Sequence, residues 1–110
     1  MLNLLRTLEN NATAHLKSHL VTGLSLFYAA NSQYDKAIAI LDRRIQQKPD
    51  EAQLILLKIR WAITSKRYDL ALSSITAARH NLDIKFLNRV NFTNQLTQME
   101  NEIHQLNNGH

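Results

Sequence analysis

The phrase Tyr34-Asp-Lys-Ala37 returns as Tyr68-Asp-Leu-Ala71, 34 residues later. An internal repeat of this length constrains the architecture more than any single residue can. It is the length of one helix–turn–helix unit. Such a unit cannot bury its apolar face alone, so its neighbours must stack on it. The match extends beyond the four letters. Ala37 is followed by Leu41 and Ala71 by Ile75, each with three residues between. Leu24 and Tyr28 lie upstream of the first copy, and Pro49 lies downstream of it.

Composition and spacing favour an all-α chain. Leu, Ala, Gln, Lys and Arg are abundant, and they lose little freedom in a helix. Two Gly and one Pro leave few sharp turns. Leucines at 2, 4, 5 and 8 suggest a short lead helix, interrupted by Asn10 and Asn11. Helical periodicity then predicts helices over 12–31, 34–47, 51–65, 68–81 and 84–107. The second helices turn Ile38, Leu41 and Ile45, then Leu72, Ile75 and Ala78, inward. Lys48-Pro49-Asp50 ends the helix before it, because Pro disfavours the helical conformation in the preceding residue. The chain therefore reads as one domain over 1–110. A lead region covers 1–17, repeat one 18–51, repeat two 52–85 and a capping helix 86–107.

Helix 51–65 carries two apolar arcs. Ile55, Leu56, Ile59, Ala62 and Ile63 make the broad one, and Leu54, Leu57 and Trp61 the narrow one. A surface helix needs one stripe, so two predict neighbours on two sides. The last helix has a single stripe, at Phe92, Leu96, Met99, Ile103 and Leu106. That is what the end of a stack requires, and too short for a coiled-coil seam. Replacing Ile55 with Asp is expected to unfold the chain.

These residues resemble the tetratricopeptide repeat over about 18–85. The resemblance implies antiparallel helical hairpins stacked as a short right-handed solenoid with capping helices. It also implies small residues, Ala37 and Ala71, where the two helices of a unit meet. Several positions depart from the family. Ile59 stands where a small residue is expected and Ser25 keeps one. Lys58 replaces a Leu and Ala62 a Tyr. Ser32 and Lys66 replace the turn Gly, and Asp83 the closing Pro.

Members of this family bind other proteins along the surface lined by the first helices. Carried over by position, that lining is His19, Thr22, Leu26, Ala29 and Ala30, then Gln53, Leu56, Arg60, Ile63 and Thr64. The final helix adds Leu87, Val90 and Asn94. The partner-binding set read from it is His19, Thr22, Leu26, Ala30, Gln53, Leu56, Arg60 and Ile63. Thr22 and Leu26 stand where chaperone-binding members carry a carboxylate clamp of Asn and Lys, so that clamp is absent. An apolar floor suits a partner helix or extended segment. In size and groove character the chain is similar to small chaperones of bacterial type III secretion, which hold secretion subunits in the cytoplasm. A scaffold segment of a larger assembly is the alternative role, and a second copy of the chain is an alternative occupant.

Chemistry is not expected. There is no Cys, no nucleophile motif and no phosphate loop. His15 and His19 are one helical turn apart, a spacing that can hold a metal. They have no third ligand near in sequence, so no metal or cofactor is assigned. The formal charge of +4 comes from scattered Lys and Arg that do not form the aromatic-lined basic platform on which bases stack. A basic nucleic-acid-binding helical protein is therefore the lesser alternative. Trp61 is read as packing between repeats, with a partner anchor as the alternative. Gly23, inside a predicted helix, suggests either close approach of a neighbour or simple tolerance. No segment reaches the ~20 apolar residues of a membrane span. The first residues lack a signal-peptide pattern, so a cytoplasmic location is expected and the Asn11 and Asn91 glycosylation triplets are attributed to chance.

Overall fold

The structure is a computed structural model, and it describes residues 18–81, 84 and 86–108. The lead region over 1–17, with His15, lies outside them. Five helices are described: α1 Ser18–Ala30, α2 Tyr34–Gln47, α3 Ala52–Thr64, α4 Tyr68–Arg79 and α5 Phe86–Asn108. Among the described residues all regular structure is helical. The period of the sequence returns in the elements. First helices start at 18, 52 and 86, and second helices at 34 and 68.

The turns inside the two hairpins are built alike. The Gln33 N–H donates to Tyr28 O at 2.8 Å and the Ser32 N–H to Ala29 O at 3.0 Å. One period later, Arg67 N–H donates to Ala62 O at 2.8 Å and Lys66 N–H to Ile63 O at 3.0 Å. This pair of bonds closes a helix through a left-handed residue just past its end. That residue is Ser32, with φ 60°, or Lys66, with φ 64°. Neither is the Gly such a position favours. Both turns therefore carry local strain of roughly 1 kcal/mol.

Each helix packs against the next, and α3 also touches α1 on one side and α5 on the other. The two arcs of α3 enter two different cores. Leu54, Leu57 and Trp61 join Val21, Leu24 and Tyr28 of α1 and Ala37, Ile40 and Leu41 of α2. Ile55, Ile59, Ala62 and Ile63 join Ala71 and Ile75 of α4 and Phe92, Leu96, Met99 and Ile103 of α5. Ala37 and Ala71 are both fully buried. Trp61 bridges the clusters, its ring 6.0 Å from that of Tyr34.

Two departures from the repeat pattern offset each other. Ser25 and Tyr28 are buried one turn apart on α1, and Ile59 and Ala62 take the same places on α3. The large and small residues have changed positions, which conserves volume, the kind of exchange a core tolerates best. The Ser25 hydroxyl is satisfied by donating to Thr22 O at 2.8 Å.

Helix α5 buries Phe92, Leu96, Met99 and Ile103 and exposes its opposite face. Leu106, expected on the same stripe, stays 43% exposed. Polar bonds fix α5 on both neighbours. Arg79 of α4 makes two bonds of 2.9 Å to Glu100, and Arg60 of α3 reaches Glu102 at 2.7 Å.

Candidate partner-binding surface

The first-helix face reads differently on α1 and α3. On α1, His19, Leu26 and Ala30 are exposed and Thr22 is half-buried. Leu26 is 48% exposed and its neighbour Phe27 43%. On α3, Gln53 is exposed and Leu56 half-buried against the second core. Arg60 is held by two bonds to Glu102 of α5. Ile63 is only 3% exposed, inside the core that α5 closes. On α5, Val90 is 65% exposed and Asn94 is exposed, while the Leu87 side chain is outside the described set.

The expected floor of Leu26, Leu56 and Ile63 is thus not one surface. Leu26 is open, Leu56 is shared with the core, and Ile63 is core. Burial of Ile63 follows from α5, whose Leu96, Met99 and Ile103 belong to the same cluster. Three cavities lined by described residues lie elsewhere, and none includes any of the eight expected residues.

Phe27 was not among the expected lining residues. A signal for it exists, since Trp61 stands 34 residues later. Trp61 is half-buried between two hairpins, while Phe27 has its edge on Tyr28, ring centroids 5.8 Å apart. Gly23 is exposed, and a Cβ there would meet nothing within 4 Å. Close approach of a neighbour therefore does not explain it, and tolerance on an open helix face does.

The charged side chains pair locally. The Arg79 guanidinium, by hydrogen bonding, holds the Glu100 carboxyl below its ordinary range, and Glu100 raises Arg79 in turn. Ion pairs also engage Arg44 with Glu51, Lys58 with Asp42 and Arg67 with Asp35. No cluster of His, Asp or Glu suited to a metal occurs among the described residues. None of the described helices is long and apolar enough to cross a membrane.

No family model matches this chain, and neither a curated protein nor a solved structure matches it.

Proposed function

We propose that the chain is a tetratricopeptide-like protein-binding module, whose partner segment lies on the first-helix face beginning at α1. The reading is supported most by the period of the elements. Two hairpins start 34 residues apart and close with the same pair of turn bonds. Such stacks expose a continuous face of first helices, the surface repeat proteins use. Leu26 and Phe27 supply exposed apolar area there, with Thr22 and Leu56 beside them in the register. Apolar residues grouped on a surface mark interaction sites when they are contiguous. An adaptor or secretion-type chaperone role in the cytoplasm is the narrower form of the proposal, and a scaffold segment its alternative. The ion pairs of Arg44, Lys58, Arg60, Arg67 and Arg79 leave fewer free cations for a nucleic-acid backbone.

Affinity capture from the native cell tests the reading. Wild-type protein should retain a partner that Leu26→Asp loses, while circular dichroism shows both equally helical. Lys48→Ala, an exposed change away from this face, should retain it. Capture that is indifferent to Leu26→Asp and to Leu56→Asp removes the first-helix face from consideration.

A further inference from the structure

Lys58 is the departure from the repeat pattern that the protein-binding reading leaves unused. Its counterpart one period earlier, Leu24, is buried in the first core with Ile40 of α2. The counterpart of Ile40 is Ser74. Two positions of one apolar core have therefore been exchanged together, Leu24 and Ile40 for Lys58 and Ser74. A third exchange lies beside them, with Ala78 in the place of Arg44. The result is open space. No Cα atom of α2 lies within 8 Å of a Cα atom of α4. Between them lies a cavity of about 260 Å³, lined by Ile45, Ile55, Lys58, Ser74, Ala77 and Ala78, with Asn81 at one end.

The lining is chemically asymmetric. Ile45, Ile55, Ala77 and Ala78 make an apolar wall, and Lys58 is its one fixed charge. The ammonium group is held 2.6 Å from Asp42, which is not part of the lining. The Lys58 side chain is 18% exposed and that of Asp42 40%. A pair whose acid stands this far in water contributes little, about 1 kcal/mol at most. An incoming carboxylate can take the place of Asp42 at small cost. Asn81 is already engaged, its amide donating to Pro49 O at 2.8 Å. Lys58 also points away from the proposed partner face, because residues two apart on a helix lie roughly 200° apart around it. This site is therefore separate from the surface of Leu56 and Arg60.

We propose that the furrow between α2 and α4 binds a medium-chain aliphatic carboxylate, its chain in the cavity and its head group on Lys58. The size agrees. The cavity falls just below the roughly 300–1,000 Å³ of sites that take drug-sized ligands.

Octanoate, octanol and octylamine, each titrated into isotope-labelled full chain, test it by backbone amide shifts. Octanoate should give saturable shifts centred on Ile45, Ile55, Ser74, Ala77 and Ala78. Octanol should bind the same place roughly tenfold more weakly, a difference of about 1.4 kcal/mol, and octylamine not at all. Lys58→Gln should bring octanoate down to the level of octanol. The double change Lys58→Leu with Ser74→Ile copies Leu24 and Ile40 of the first hairpin into the second, and should abolish binding of both while keeping the helical spectrum. If that variant fails to fold, Lys58→Gln decides alone. The proposal is overturned by absent or non-saturable shifts, by shifts centred elsewhere, by equal binding of octanol and octanoate, or by octanoate binding that survives the folded double variant.

Discussion

Hairpin α1–α2 and hairpin α3–α4 share a backbone plan and differ in what fills it. Both begin at the same phase of the period and close with the same turn bonds. In the first, Leu24, Tyr28 and Ile40 fill the core between helices, and Arg44 is buried and paired with Glu51, just before α3. In the second, Lys58, Ala62, Ser74 and Ala78 hold those places. The lost volume is recovered partly by Ile59 and partly by α5, whose apolar stripe closes the second core. A furrow is what remains. Period alone therefore sets the path of the chain, while side-chain volume decides where that path is filled.

The largest effect expected from this comparison is at Tyr28. Removing a buried aromatic side chain costs about 3 kcal/mol or more, so Tyr28→Ala should strongly lower the midpoint of denaturant unfolding. Adding Ser25→Ile copies the Ile59–Ala62 arrangement into the first hairpin, and should recover part of the loss. A double-mutant cycle showing no coupling would break the claim that these two departures compensate.

Next in size is overpacking at the hairpin contacts. Ala37→Leu and Ala71→Leu should each destabilise by roughly 1–3 kcal/mol. The looser second hairpin should suffer less, since its cavity gives room for relaxation. Equal costs in calorimetry would show that the furrow does not soften α4.

The turns come third, and here the hairpins should behave alike. Ser32→Gly and Lys66→Gly relieve a left-handed non-glycine residue, and should each stabilise by about 0.5–1 kcal/mol in thermal unfolding. A loss of stability in either would mean that the side chain does more than occupy the turn.

The smallest effect concerns the ion pair that fastens α5. Glu100 is lowered in the folded state, chiefly by its bonds to Arg79. Its contribution is therefore present above the unfolded value of about 4.3, and is lost as pH falls through the lower folded value. Because both side chains are about one-third exposed, the contribution is well under 1 kcal/mol. Glu100→Gln should flatten this small acid limb and leave stability at pH 7 nearly unchanged.

Helix positions were legible because they depend on local chemistry. Residues 34–47 were expected as a helix and are one, and those expected over 51–65 and 68–81 are helical over Ala52–Thr64 and Tyr68–Arg79, while the expected start of the first helix at 12 lies outside the described residues. Pro49 and the polar turn residues mark those ends by local backbone preference. The two arcs of α3 were legible for a similar reason. Angular position around a helix is a property of spacing, and each arc found its own core.

The partner surface was read from the same spacing and only partly coincides with open surface. Leu26 and Ile63 belong to one register of first-helix positions, yet one is 48% exposed and the other 3%. Spacing says which residues share a face. It cannot say whether another helix lies on that face, and α5 bonds to Arg60 and shares a core with Ile63. The sequence by itself determined an all-α chain, a 34-residue period, the approximate boundaries of its hairpins and the two apolar arcs of α3. Those follow from backbone preference and 3.6-residue periodicity, which act within a few residues. Only the tertiary structure decided that Ile63 is core, that Phe27 stays open while Trp61 is covered, and that Lys58 and Ser74 border one cavity. Each of those depends on two segments meeting at a distance, where volume and charge must be matched between residues that no local pattern connects.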